Sequence, residues 1–284
     1  MLVRICIRAI LLPLAAAFGA TAASQASTDS RILPPPTPPS YADLADLAEQ
    51  GPLVMRVKIR KFAEVEPARA GKVRPGWARL YVEAVTESLL AGPAAVGAAQ
   101  RYLADVPRDA KGKLPKLKKQ LVLLFARHVE GRPGELQLVA PDAQMPWTAA
   151  TETRLRGVLA EVFSPSAPRR ITGVREAIFV PGNLAGEGET QLFLSTADEE
   201  PAAITVMHQS GLPLNWSISY SEVVETAGRP PARDTLTWYR LACFLPPALP
   251  AGINVSATPE ESAQAEADYR RVISDLGPCK RTRF

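Results

Sequence analysis

Histidine and cysteine are scarce. Only His128 and His208 occur among 284 residues, alongside three cysteines. No His-x-x-x-His, Cys-x-x-Cys or Cys-x-x-Cys-His spacing is present, so a histidine/cysteine metal site or an attached haem has no ligand set. No nucleophile elbow surrounds any serine, and His208 with Ser210 does not make a triad. A dinucleotide loop is missing as well. "PGNLAGEGETQ" (Pro181 to Gln191) comes nearest, but Gln191 stands where a third glycine is needed, a strand pattern follows it, and its carboxylates would repel a phosphate. Beyond the N-terminal segment there is no long uncharged run, so no stable membrane span is expected after signal cleavage.

What is present begins with that segment. "MLVRICIRAILLPLAAAFGATAASQAS" has Arg4 and Arg8 ahead of an apolar stretch, Ala9 to Ala23, followed by small residues. This is the pattern of a signal peptide over 1–26, and it predicts export to the periplasm or the extracellular space. Cleavage removes Arg4 and Arg8, and with them two of the four excess positive charges. A nucleic-acid partner is therefore not expected from net charge alone. Cleavage also removes Cys6, leaving Cys243 and Cys279. Two cysteines in an oxidising compartment read as one disulfide. A nucleophilic or metal-bound Cys243 has less support, because its surroundings, "TWYRLACFLPP", are apolar and lack a nearby histidine.

The proline-rich "RILPPPTPPS" lies within an extended spacer, 27–40. "SYADLADLAEQ" follows as a short helix with Ser40 as N-cap. From Leu53 the apolar period becomes two. Leu53, Met55, Val57 and Ile59 alternate with polar or charged neighbours from Arg56 on, the pattern recurs at Ala78 to Ala84, Tyr102 to Val106 and Leu136 to Ala140, and "QLVLLFARHV" reads as a more deeply buried strand. Five such strands predict an antiparallel sheet or a small OB-like barrel over 41–145. The helix usual between the third and fourth strands of that barrel has only the poor candidate "DAKGKLPKLKK". The remainder, 146–284, reads as an α+β domain. It has a central amphipathic helix ("TETRLRGVLAEVF"), a four-strand meander, a buried helix over "ARDTLTWYRLACFLPP" with Asp234 near its N-cap, and a terminal helix. That last helix has Thr258 and Glu261 as a capping box, Pro259 at N1 and a Gly277-Pro278 stop.

Two loops carry the remaining chemistry. Glu187 and Glu189 in the Gly/Glu-rich loop are candidate catalytic carboxylates, since a carboxylate hydrolase leaves no short signature. Lys111, Lys113, Lys116, Lys118 and Lys119 form a candidate anion-binding patch, and the absence of interleaved aromatics removes the stacking that single-stranded nucleic acid needs. The expectation is an exported bacterial envelope protein of α+β class, a non-catalytic binding or scaffold module with no cofactor and no metal. Its alternatives are an envelope hydrolase or a binder of anionic polymer or lipid.

Overall fold

Ser40 starts the described fold as the sequence predicts. In this computed structural model, which describes residues 38–221 and 228–283, Ser40 caps helix α1 (Tyr41–Gln50) in a capping box closed by Asp43. Leu44, Leu47 and Ala48 are buried along one stripe of that helix. The expected signal peptide and most of the proline-rich spacer lie outside the described residues.

Five strands then close a barrel: β1 (Leu53–Glu64), β2 (Trp77–Ala91), β3 (Ala99–Pro107), β4 (Leu121–His128) and β5 (Glu135–Leu138). Neighbours run β1-β2-β3-β5-β4, and β4 pairs back to β1. All pairings are antiparallel except β3 with β5, which is parallel. This is the OB-like barrel, and it forms without a helix between β3 and β4. That connection stays irregular while Leu114 and Leu117 pack against the core in the helix's place. Alternation sorts the side chains: Leu80, Val82, Tyr102, Ala104 and Leu136 point inward and are at most 4% exposed. Register shifts in β1, one of them between Ile59 and Lys61, bend that long strand around the barrel. A four-residue helix α2 (Pro67–Ala70) and a short β6 (Gln144–Pro146) on β4 were not foreseen.

Thr148 caps α3 (Ala149–Val162), which packs on α1. The second sheet is the expected meander, β7 (Ile171–Pro181), β8 (Gly188–Thr196), β9 (Ala203–His208) and β10 (Asn215–Ser219), in the order β10-β9-β8-β7. Helix α5 (Pro259–Leu276) lies against β7 and β8 and has the expected capping box. Helix α4 (Leu236–Ala242) is shorter than the sequence suggests. Its N-cap is Thr235, next to Asp234, and the Thr235 hydroxyl accepts from Trp238 N; Cys243 is its C-cap residue. One apolar core cluster includes residues of both β regions, and the described residues belong to one compact unit.

The C-terminus is fastened to the N-terminal helix. Gly277 ends α5 at φ 64°, and a Cβ there would meet the Arg233 guanidinium at 3.2 Å, so glycine answers both demands. Cys279 then lies at disulfide distance from Cys243, Sγ to Sγ 2.07 Å and Cα to Cα 5.1 Å. Beyond it, Thr282 and Arg283 reach Asp43. The Asp43 carboxylate has no solvent exposure and accepts from Ser40 N and Oγ, Thr282 N and Oγ1, and Arg283 N at 2.6–3.3 Å. Arg281 bonds Asp46 one turn further along α1, and Arg283 bonds Asp142 after β5.

Burial alone would raise the pKa of Asp43, but the hydrogen bonds from Thr282 and Ser40 outweigh it and hold the carboxyl below the usual range. Its stabilisation is therefore complete above the roughly 3.9 of an unfolded aspartate and is lost as pH falls through the lower folded value. Asp43→Asn should cost about 2–4 kcal/mol in urea unfolding at pH 7, and the deficit should narrow below about pH 4. A deficit independent of pH would show that the charge is not what matters. Without reductant, alkylation should label neither Cys243 nor Cys279. Reduction should cost at most about 4 kcal/mol, from the 36-residue separation in the chain-entropy account.

Candidate functional site

The β1–β2 loop and the β3–β4 loop leave the same end of the barrel. Trp77 pairs with Pro107, Arg108 N donates to Gly76 O at 2.9 Å, and Lys119 N donates to Ile59 O at 2.8 Å, so the two loops lie side by side. The lysine-rich loop is shaped by Asp109, whose carboxylate accepts from Lys111 N and Lys113 N at 2.8 Å, with Gly112 turning at φ 73°. Leu114 and Leu117 anchor it inward. Lys111, Lys113, Lys116, Lys118 and Lys119 are all exposed, and none makes an ion pair among the described residues.

Charge collects at this end. Residues 60–76 and 108–120 hold eleven arginines and lysines against Glu64, Glu66 and Asp109, a net +8 in a chain whose total is +4. Everything else therefore carries −4. Compensation falls on three of these cations: Arg108 bonds Glu64, Lys61 lies 3.6 Å from Glu83, and Arg74 lies 3.5 Å from Asp142. The structure thus sets the loop of the five predicted lysines beside the loop that carries Arg60, Arg69, Lys72 and Arg74, more than thirty residues away in sequence.

A second feature lies on the barrel wall. β3 and β5 pair only at Arg101–Glu135 and Tyr102–Leu136, then diverge, and rejoin where Asp105 N donates to Pro141 O. Over this divergence runs a groove of about 720 Å³. Cross-strand register sets its lining: Arg79 stands opposite Asp105 and Tyr81 opposite Leu103. Arg79 grips Asp105 through two bonds of 2.7 and 2.9 Å, and this pairing holds the guanidinium firmly in its charged form. Tyr81 and Leu103 are 39% and 49% exposed, an apolar platform beside that pair. Arg132 and Glu135, 3.4 Å apart, stand at the β4–β5 turn.

Glu187 and Glu189 flank Gly188 where the β7–β8 hairpin closes, and the exposed loop tip, 181–186, is held by Gly182 N to Glu187 O. Gln191 Nε2 donates to Glu189 at 3.3 Å. No group of three histidine, cysteine, aspartate or glutamate side chains able to hold a metal occurs among the described residues. Cys243 and Cys279 are where the disulfide expectation requires them.

The sequence reading missed a cluster across the sheet from Glu189. Asp268 of α5, 1% exposed, accepts from Thr190 Oγ1, meets His208 Nε2 at 2.9 Å and accepts from Gln264 Nε2 at 3.0 Å. Phe179 stands edge-on to the His208 ring at 5.9 Å. A signal existed: Asp268 lies at i+3 from Ala265 and i−4 from Val272, on the apolar face of α5, where a carboxylate must find donors. The chain matches no protein-family model and no curated protein sequence.

The Asp268 cluster fastens α5 to β8 and β9. Asp268→Ala should cost about 3 kcal/mol in urea unfolding, because it strands three donors at once, and His208→Ala should cost clearly less. Equal losses would place the weight on the histidine.

Proposed function

We propose that the protein is an exported, non-catalytic binding module of the bacterial envelope that docks on an anionic polymer through the basic end of its barrel. The observation that carries this reading is the adjacency of two loops with a net charge of +8, whose five loop lysines are exposed and make no ion pair among the described residues. Such a patch releases counterions from a polyanion and gives an affinity that falls steeply with salt. The lysines project from a loop anchored by Asp109, Leu114 and Leu117, so less ordering is demanded on binding than from a free tail.

Export agrees with the N-terminal pattern and with the cysteine pair, which suits an oxidising compartment. No helix among the described residues is long and apolar enough to cross a membrane. The hydrolase alternative would rest on Glu187 and Glu189, whose loop tip is exposed.

Elution from a heparin-type column tests the proposal. The mature protein should need more salt than the Lys116→Ala/Lys118→Ala/Lys119→Ala variant, and its slope of log affinity against log salt should be steeper by about two to three. Equal elution of the two proteins would refute it. Substitutions at exposed loop lysines should leave the urea midpoint within about 0.5 kcal/mol of wild type, so misfolding would not mimic the result. Stronger retention on anionic vesicles than on the polymer would move the ligand from polysaccharide to lipid.

A further inference from the structure

The C-terminal tail is docked by one covalent bond and by charge. Leu276 is the last buried residue of α5, and no residue from Gly277 to Arg283 is buried. The turn at Gly277, φ 64°, and the following Pro278 stop the helix, so movement of the tail need not unwind it. Cys279 is bridged to Cys243, Arg281 bonds Asp46, Thr282 and Arg283 bond Asp43, and Arg283 also bonds Asp142. Cys243 and Cys279 are both only partly buried, and Phe244 beside the first is 39% exposed, so an incoming thiol reaches the bridge. Arg281 Nη1 stands 3.4 Å from Cys279 Sγ. A guanidinium there stabilises a Cys279 thiolate and makes it the better leaving group.

We infer that the Cys243–Cys279 bridge is a redox-operated clasp: its reduction by a dithiol releases residues 279–283 from α1, and the freed Arg281 and Arg283 become further contacts for a polyanion. The release stands on the tail's own contacts, whereas the gain in binding rests on the polyanion reading of the protein. In the exchange, a thiolate of the dithiol bonds to Cys243 Sγ, the S–S bond breaks, and its electron pair leaves on Cys279 Sγ. The second thiolate of the dithiol then attacks the sulfur of the first, and Cys243 leaves as a thiolate. The dithiol loses two electrons and becomes a disulfide, the bridge gains them, and the dithiol's two protons end on the two cysteines.

With the bridge open, polar contacts alone hold the tail. Arg281 and Thr282 are exposed, where such contacts compete poorly with water. Ordering residues 279–283 costs conformational entropy that these contacts must then offset without covalent help. Asp43 does not forbid the release. It keeps the donors of Ser40 N and Oγ, and water fills the positions that Thr282 and Arg283 vacate. In the docked tail, Arg281 and Arg283 neutralise Asp46 and Asp142. Once free, each can displace a counterion from a polyanion.

Hydrogen exchange followed by mass spectrometry on the mature protein tests the clasp, with dithiothreitol as the dithiol. Thr282 N and Arg283 N donate to Asp43 at 3.0 and 3.3 Å, so their amides report the docked tail directly. Reduction should speed their exchange about tenfold or more, while the paired amides of β2 and β3 keep their protection. The Cys243→Ser/Cys279→Ser variant should exchange like the reduced protein and ignore dithiothreitol. Unchanged exchange at Thr282 and Arg283 after full reduction overturns the inference. So does loss of protection throughout the chain, which would make the bridge a staple for the whole fold. On the heparin-type column the reduced protein should need more salt than the oxidised one, with a slope of log affinity against log salt steeper by about one to two. Adding Arg281→Ala/Arg283→Ala to the serine variant should remove that gain. Equal elution of the oxidised and reduced proteins, with the tail open, overturns the polyanion half. The gain should persist in the Lys116→Ala/Lys118→Ala/Lys119→Ala variant, so failure of the barrel-end reading and failure of the clasp show in different comparisons.

Discussion

The carboxylate of Asp43 joins the first helix of the described residues to the last of them. It closes the capping box that starts α1 and, with the same oxygens, accepts the backbone and hydroxyl donors of Thr282 and the backbone donor of Arg283. A buried charge of this kind is expensive to desolvate and is tolerated only when its lone pairs are filled. Here the filling requires residues more than two hundred positions apart to be in place together. The disulfide serves the same geometry: Cys279 is tied beside the end of α4 just before the residues that reach Asp43. Tyr239 of α4 and Arg281 of the tail then meet on Asp46, so one face of α1 receives both helix and tail. Packing around this seam explains why the apolar core runs through both β regions instead of splitting into two.

Arg283 carries the seam onto the barrel by bonding Asp142, which lies next to Pro141 at the edge of the wall groove. Asp142 also lies 3.5 Å from Arg74 of the β1–β2 loop. Elements that carry the β1–β2 loop and the edge of the wall groove are thus held by contacts that begin at the C-terminal tail. Precision at such sites depends on their supporting contacts, and here those contacts come from the opposite end of the chain.

Much of this architecture can be read from spacing. Period-two alternation identifies four of the barrel strands, because each presents one face to a single closed core, and β4 is legible instead as a continuous apolar run, buried on both faces from Val122 to Ala126. The caps of α1 and α5 are visible in Ser40 and in the Thr258–Glu261 pair, since capping is local chemistry. Burial that depends on distant partners is not visible in this way. Asp43, Asp105, Glu152 and Asp268 are charged residues whose distant partners nothing in the spacing names, yet each is at most 9% exposed. Their partners, among them Thr282, Arg79, Arg56 and His208, are 26 to 239 residues away. The wall groove was illegible for a related reason: its platform exists only when Tyr81 and Leu103 are brought into register.

The two candidate sites differ because strands and loops treat charge differently. Within a sheet, register places each outward side chain opposite a fixed neighbour, and opposite signs there are stabilising. Arg79 thus meets Asp105 and Arg101 stands opposite Glu83, and the wall's field largely cancels at short range. A loop imposes no such neighbour. The lysines between Lys111 and Lys119 are spaced by glycine, leucine and proline, so their charges add instead of pairing. The irregular connection that replaces a helix between β3 and β4 is therefore what leaves one end of the barrel strongly positive. The continuous ladder beside it leaves the wall nearly neutral, with a platform shaped by side-chain faces instead of by charge.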